Sequence, residues 1–169
     1  MTAAVNHNNG SLLTNTYATP LVANLAGADS TSVLTWSAYC AIPAVATDLA
    51  NSVYAFGRVK SSDVIHSISF ASTALTAGAL SLGLFLPNTT TVAVANSDHL
   101  FVTSVNCASA VLVTEERYVN LALTTAGKRV WELLGLSSDP VAVYDVAAYS
   151  TTAATTAGTL FCRCTFAPS

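Results

Sequence analysis

The chain contains four cysteines, a residue type that often supplies the thiolate ligands of a structural zinc ion. They are Cys40, Cys107, Cys162 and Cys164. No C-x-x-C pair occurs, and Cys162 and Cys164 fall on one face of a predicted strand, where two thiols pair poorly as a disulfide. Because a reduced cysteine behaves as a small apolar side chain, the spacing favours four buried core thiols. A disulfide or a metal site is the alternative.

The histidines and serines also lack a recognisable catalytic arrangement. His7, His66 and His99 are far apart and have no H-x-x-x-H spacing, so they do not form a local metal-binding pair. Ser81 lies in the string GALSLG, which does not have the G-x-S-x-G spacing of a serine hydrolase. The sequence contains neither a P-loop nor a G-x-G-x-x-G motif. We therefore expect no cofactor and no bound metal ion.

The carboxylates are the remaining candidates for chemistry, because two of them at a suitable separation could hydrolyse a glycosidic bond. The nine are Asp29, Asp48, Asp63, Asp98, Glu115, Glu116, Glu132, Asp139 and Asp145. Asp139-Pro140 is typical of a turn, and Glu115-Glu116-Arg117 of a solvated strand edge or a salt-bridging patch. Two of them could meet in space as such a pair, which spacing in the sequence does not show. We expect the chain not to be an enzyme, with a small glycan hydrolase as an alternative.

The scarcity of charge is more informative than any of these motifs. Only 9% of the residues are charged and 52% are hydrophobic, whereas about a quarter of an ordinary soluble domain is charged. Ser, Thr, Asn and Ala must therefore cover most of the surface, and such a surface loses its hydration at a lower cost than an ionic one. The composition predicts burial against other copies or other proteins. The alternative is a Thr/Ser-rich β protein that is soluble without charge.

The sequence predicts that the protein binds neither nucleic acid nor a membrane. The net charge is −3, and the six basic residues form no long run, whereas nucleic-acid binding needs a clustered basic face. The start of the chain has neither the basic nor the apolar region of a secretory signal. The apolar stretch 74–86 is shorter than a membrane span, and its leucines at 80, 82, 84 and 86 alternate as in a half-buried strand.

The elements that must position these residues are mostly strands. Alternation and turn residues predict strands at 34–42, 52–59, 64–70, 80–86, 100–105, 111–119, 141–149 and 158–166, with 88–96 as strand or loop. One segment, 125–135, predicts a short helix that ends at Gly135. Val130, Leu133 and Leu134 share one face of it, and Trp131 is expected to dock the helix on the sheet. The fold class predicted for residues 31–169 is an antiparallel, jelly-roll-like β-sandwich.

Residues 1–30 form a separate region, rich in Asn, Thr and Ala and without helical or strand periodicity. Isolated apolar residues interrupt it, which a disordered tail would not need. We therefore expect an extended N-terminal arm that contacts other copies or other proteins through these anchors, with a disordered tail as the alternative. The anchors predicted to form this interface are Leu12, Leu13, Tyr17, Leu21 and Val22.

Several strings, in order, resemble small virion structural proteins of tailed bacteriophages, including the head decoration (capsid cement) type. They are DVIHSI at 63–68, GKRVWELLGLSSDP at 127–140, YDVAA at 144–148 and TTAGTL at 155–160. The similarity runs from about Asp63 to Phe166. The arm resembles that of the family only in its general character. Cys162 and Cys164 depart from the pattern, since aliphatic residues occupy that strand face in the family.

The resemblance implies a β-sandwich that binds the major capsid protein on the outside of the shell, without catalysis or cofactor. It also implies self-association as a homotrimer, which suits the three-fold positions of icosahedral shells. Assembly in the reducing host cytoplasm would suit unpaired thiols. Two alternatives stay open. One is another virion component, such as a head fibre, neck or tail protein, and the other is a carbohydrate- or receptor-binding sandwich that stacks Trp36, Tyr39 or Tyr54 on sugar.

Overall fold

A computed structural model describes residues 7–9, 34–42, 50–113, 127–154 and 156–168. Almost all of its regular structure is extended. The strands are β1 (His7–Asn9), β2 (Leu34–Ile42), β3 (Val53–Lys60), β4 (Val64–Ser72), β5 (Ala79–Phe85), β6 (Val102–Asn106), β7 (Val111–Val113), β8 (Val143–Thr152) and β9 (Gly158–Ala167). The helical pieces are a 3-10 turn at Ser97–His99 and one α-helix, α1 (Val130–Leu133).

The strands form two sheets whose pairing follows a nested hairpin. β5 pairs with β6, β4 with β7, β3 with β8 and β2 with β9, all antiparallel. Rolling up this hairpin gives a four-stranded sheet in the order β2-β9-β4-β7 and a five-stranded sheet in the order β1-β3-β8-β5-β6. Eight antiparallel strands arranged in two such sheets form a jelly roll. The predicted all-β sandwich is confirmed.

The hydrophobic core lies between the two sheets. In β2 the alternation predicted from the sequence places Ala38, Cys40 and Ile42 inside, and Thr35, Ser37, Tyr39 and Ala41 outside. Phe56, Leu84 and Leu160 are fully buried from three other strands. Each large apolar side chain buried in this way contributes about 1.5–3 kcal/mol, so packing between the sheets is the main source of stability.

The cysteines are part of this core. All four are buried and none of them forms a disulfide bond, as the sequence predicted. Burial raises the pKa of the Cys107 thiol, although a hydrogen bond with Ser72 opposes the shift. Burial also raises the pKa of Cys162 and of Cys164. The thiols of Cys107, Cys162 and Cys164 are therefore protonated at neutral pH.

Because the thiolate is the reactive form, the folded protein should resist alkylation. With iodoacetamide at pH 8, we expect labelling at least about tenfold slower than in guanidinium chloride, where all four thiols react. Mass spectrometry of the intact chain measures both rates. Rapid labelling of the folded protein at Cys162 or Cys164 would contradict their place in the core.

Helix α1 is shorter than the predicted 125–135 segment. Gly127 adopts a left-handed backbone with φ of +79° and Arg129 is extended, so helical geometry begins only at Val130. Residues 125 and 126 lie outside the described part of the chain. Gly135, with φ of +71°, follows the helix at the position predicted for its end. Neither this helix nor any other in the described residues is long and apolar enough to span a membrane.

The contacts that dock α1 also differ in part from the prediction. Val130 and Leu134 are buried in the core, whereas Trp131, predicted to dock the helix, is only half-buried. Backbone hydrogen bonds fix the start of the helix. The Val130 N–H donates to the Asp63 carbonyl oxygen at 2.8 Å and the Trp131 N–H to the Ser61 carbonyl oxygen at 2.9 Å. The turn between β3 and β4 therefore holds the helix.

The described part of the predicted arm is short. Strand β1 pairs in parallel with Val53–Ala55 of β3 at the edge of the five-stranded sheet. The rest of residues 1–30, including Leu12, Leu13, Tyr17, Leu21 and Val22, lies outside the described residues. The domain boundary at residue 30 and the role of these anchors stay predictions.

Candidate interaction surface

The chain covers the outer face of its own five-stranded sheet. The segment between β5 and β6 folds back over this face. Val53, Ala55, Phe85 and Ala147 form a second, smaller core there, with Val92 and Tyr149 packed against it. This sheet face is therefore occupied in the folded chain.

Two features hold the covering segment close to the sheet. The Ser97 hydroxyl donates to the Leu84 carbonyl oxygen at 2.8 Å, and the Ala93 N–H donates to the same oxygen at 3.1 Å. Gly83 lies directly under the 3-10 turn, where a Cβ atom would come within 2.5 Å of the Asp98 carbonyl carbon and closer still to the Ser97 oxygen. Only glycine allows this approach.

An ion pair fixes the start of the covering segment. Asp145, fully buried on β8, accepts a hydrogen bond from the Arg58 Nε at 2.9 Å. Its second oxygen accepts the Asn88 N–H, also at 2.9 Å. Arg58 and Asp145 are register partners on β3 and β8. This carboxylate is thus engaged in holding a loop to a sheet.

The outer face of the four-stranded sheet has a different character. Residues from β2, β9 and β4 align on it in cross-strand rows. The rows are Thr35-Thr165-Ser67, Ser37-Arg163-Ser69 and Tyr39-Phe161-Ala71. Arg163 is the one charged side chain in these rows. Hydroxyl, methyl and aromatic groups make up the remainder, and these lose their hydration more cheaply than ions do.

A shallow hollow of about 290 Å³ lies at the aromatic row of this face. We call it the Tyr39 hollow, and its walls include Tyr39, Ala71, Ala110, Thr159 and Phe161. Tyr39 is 59% exposed. Its ring lies 5.0 Å from that of Phe161, centre to centre, at an interplanar angle of 48°. The hollow is thus an open apolar site walled by two aromatic rings in contact.

An apolar projection stands near the turn that holds α1. We call Val141 and Val143 the Val141 knob, since their side chains are 90% and 40% exposed. The Val141 N–H donates to Asp139 Oδ1 at 2.8 Å, and the Ser61 hydroxyl donates to the same oxygen. Hydrogen bonds from Ser61 and then from Val141 hold the pKa of Asp139 below its ordinary value. An ionised carboxylate therefore lies beside the knob at neutral pH.

A solved structure shares the fold. The chain matches one from the capsid of Ralstonia phage GP4 with a TM-score of 0.57 and 12% identity, over 96% of this chain and 98% of that one. A chain of the cyanophage Pam1 capsid asymmetric unit matches with a TM-score of 0.48 and 13% identity, over 87% and 94% of the two chains. No protein-family model and no curated protein matches the sequence. At 12% identity, the first likeness establishes a common fold.

The aromatic residues predicted to stack on sugar lie in three different environments. Tyr54 is buried at 1% exposure, and the half-buried Trp36 packs its indole ring onto Gly57. Tyr39 alone of the three is exposed. Sequence reasoning did not identify Phe161 or Val141 as surface sites. Period-two alternation through β9 places Phe161 outward, but nothing local marks the exposure of Val141.

The carboxylates of the described residues are dispersed. Asp63 is buried, and its Oδ2 accepts the Lys60 N–H at 2.7 Å within the turn between β3 and β4. Asp98 contacts the neighbouring His99 ring at 2.9 Å. In the described ranges, no three His, Cys, Asp or Glu side chains group closely enough to hold a metal ion.

Proposed function

We propose that the chain is a structural component of a tailed-phage virion, and specifically a cement protein that binds the outside of the shell and stabilises it. The observation that carries this proposal is the almost end-to-end likeness of fold to a chain from the capsid of Ralstonia phage GP4. The strings that resemble decoration proteins support it independently, because that resemblance lies in the amino-acid sequence and not in the fold. The proposed partner is the major capsid protein.

The arrangement of those strings in the fold adds support. Segments 63–68 and 127–140 are far apart in the chain, yet both meet at the turn between β3 and β4. The Val130 N–H, in segment 127–140, donates to the carbonyl oxygen of Asp63, in segment 63–68, at 2.8 Å. Strings that resemble one family and form one structural unit are better explained by a shared fold than by chance.

The outer face of the four-stranded sheet suits burial in an assembly. The fold covers the other sheet with its own segment, while Tyr39 on this face is 59% exposed. The rows of Ser, Thr, Ala and aromatic side chains present little charge to remove from water. We propose that the protein associates as a homotrimer and decorates the shell exterior after synthesis in the host cytoplasm. The proposed role involves no catalytic step and no cofactor.

Cryo-electron microscopy of phage particles tests this proposal. Particles that carry the chain are compared with particles produced after deletion of its gene. We expect the difference density on the outside of the head, repeated over the shell at three-fold positions. Difference density confined to the neck, the tail or sparse fibres would overturn the cement role and favour another virion component.

The predicted arm provides a second test through its apolar anchors. Replacing all five anchors by Ser should weaken binding to shells that lack the protein at least about tenfold, or ~1.4 kcal/mol, because apolar burial is lost. The sandwich should stay folded. The substituted residues are Leu12, Leu13, Tyr17, Leu21 and Val22.

A matched control keeps the number and location of the changes. Five polar arm residues are replaced by Ser instead, namely Thr14, Asn15, Thr16, Thr19 and Asn24. Co-sedimentation of each variant with shells measures the binding. If the anchor variant binds as tightly as the control, the arm contributes no apolar contacts and this prediction is wrong.

A carbohydrate-binding module is the second candidate, favoured by the exposed ring of Tyr39 beside the Tyr39 hollow. Sugar sites combine such a ring with a few placed polar groups that fix the orientation of the ligand. The lining of the hollow contains hydroxyl groups but no carboxylate or amide side chain. This lining fits an apolar protein side chain better than a sugar.

A further inference from the structure

The molecule carries an apolar projection and an apolar recess on different parts of its surface. The Tyr39 hollow lies on the outer face of the four-stranded sheet. The Val141 knob lies at the other end of the sandwich, beside Lys60 at the end of β3. Three of the four large apolar side chains exposed in the described residues, Tyr39, Val141 and Val143, belong to these two features.

One copy cannot bring its own knob to its own hollow. Ala71, in the wall of the hollow, lies seven residues along β4 from Val64, which follows the turn beside the knob. Seven residues of strand span about 23 Å. The two features can therefore meet only between copies.

We propose that the Val141 knob of one copy docks in the Tyr39 hollow of the next copy. Such a contact joins two different surfaces of the same chain, so it is heterologous and generates a closed ring when the rotation between copies closes. The proposal names the contact behind the proposed self-association and rests on that part of the proposed function. It does not depend on binding to a shell.

Charge on the two surfaces sets the orientation of the docked copies. Arg163 occupies the row next to the aromatic row of the hollow, while Asp139 and Lys60 both lie beside the knob. The docked orientation that we propose turns the Asp139 carboxylate of one copy, and not its Lys60, toward the Arg163 guanidinium of the other. Packing two four-stranded faces together would instead bring two Arg163 side chains into one interface, and like charges there oppose association.

The knob is also held in place before binding. The carboxylate of Asp139 accepts both the Val141 N–H and the Ser61 hydroxyl, which fixes the turn to the sheet. Val141 keeps φ of +53°, a backbone region that a β-branched residue rarely adopts. A backbone that is already fixed in this way loses little conformational freedom on docking.

Two single variants and their mixture test the proposal. Val141→Asn removes the apolar tip, and because Asn tolerates a positive φ better than Val, the fold should be at least as stable. Tyr39→Lys places a charge in the hollow on a residue that is already 59% exposed. By analytical ultracentrifugation, we expect each variant to self-associate at least about tenfold more weakly than the unaltered chain.

The equimolar mixture distinguishes a heterologous contact from a symmetric one. Each variant retains the surface that the other has lost, so one intact knob and one intact hollow should give a dimer that does not grow further. Matched controls are Ala95→Asn, an exposed loop residue, and Thr35→Lys, which lies on the same strand face as Tyr39 but outside the hollow. Both controls should assemble like the unaltered chain.

Each remaining outcome decides against the proposal. Assembly retained by Val141→Asn or by Tyr39→Lys would overturn the knob-in-hollow contact while leaving self-association itself intact. A mixture that stays monomeric while both variants are folded by circular dichroism would overturn it as well. A monomeric unaltered chain at high concentration would overturn both this contact and the proposed homotrimer.

Discussion

Replacing Arg58 by Leu is expected to lower the free energy of unfolding by about 3–5 kcal/mol, because it leaves the carboxylate of Asp145 buried without its cationic partner. Asp145 is fully buried, while the side chain of Arg58 is 28% exposed. When the Arg58 cation is removed, water cannot reach the buried Asp145 carboxylate to replace it, so the folded state loses stability. The Asn88 N–H still donates to the carboxylate, but it carries no compensating charge.

The reciprocal variant should be milder. Asp145→Asn removes the buried charge and keeps one side-chain acceptor, for either Arg58 or the Asn88 N–H, while the partly exposed guanidinium can regain hydration. Arg163→Leu, which removes an exposed arginine, is the matched control and should change stability by at most about 0.5 kcal/mol. Urea denaturation of all three variants measures the differences. Equal losses for Arg58→Leu and Arg163→Leu would contradict a stabilising role for the ion pair.

Much of the sandwich could be predicted because its signals are local. Alternation from Leu34 to Ile42 matches β2 at both ends, since the inner and outer faces of that strand differ in polarity along its whole length. The prediction for β9 came within one residue of the observed end at Ala167. Residues 88–96, left as strand or loop, form only an isolated bridge between Phe85 and Val92.

The second layer over the five-stranded sheet could not be predicted, because its determinants are distant in sequence. Asp145 binds Asn88 across 57 residues, and nothing near Asp145 in the chain indicates that partner. The short length of α1 depends on the turn at 61–63, whose carbonyl groups accept the first N–H groups of the helix. Residue type alone left Asp145 among the carboxylates that could do chemistry. In the fold its carboxylate instead binds Arg58 and the Asn88 N–H.

The two surface features differ in how far the sequence could have located them. The Tyr39 hollow needs the register of three strands, because Tyr39, Phe161 and Ala71 become neighbours only when β2, β9 and β4 pair. Alternation could place each of them outward, but not side by side. The Val141 knob depends on a left-handed backbone at a valine, which propensities argue against. At Val141 the hydrogen bonds to Asp139 outweigh the backbone preference of valine.

Gly83→Ala is expected to destabilise the protein by about 3 kcal/mol, at the upper end of the usual cost of overpacking. The added methyl group would meet main-chain atoms rather than a side chain that can rotate away. Its carbon would lie 2.5 Å from the Asp98 carbonyl carbon and 2.6 Å from the Asp98 oxygen. The 3-10 turn must therefore move off the sheet, and the hydrogen bond from Ser97 to Leu84 should break with it.

Gly78→Ala is the matched control for this prediction. Its added methyl group would meet the Leu75 Cβ at 3.1 Å, a contact that a shift of a few tenths of an ångström relieves. Thermal and urea denaturation should show a much smaller loss for Gly78→Ala than for Gly83→Ala. Hydrogen exchange adds a local measurement, because detachment of the covering segment should accelerate exchange of the Ala93 N–H, which donates to Leu84. If the two variants are equally stable and the Ala93 N–H stays protected, the turn does not need glycine beneath it. The covering segment would then be held mainly by the Asp145 contacts.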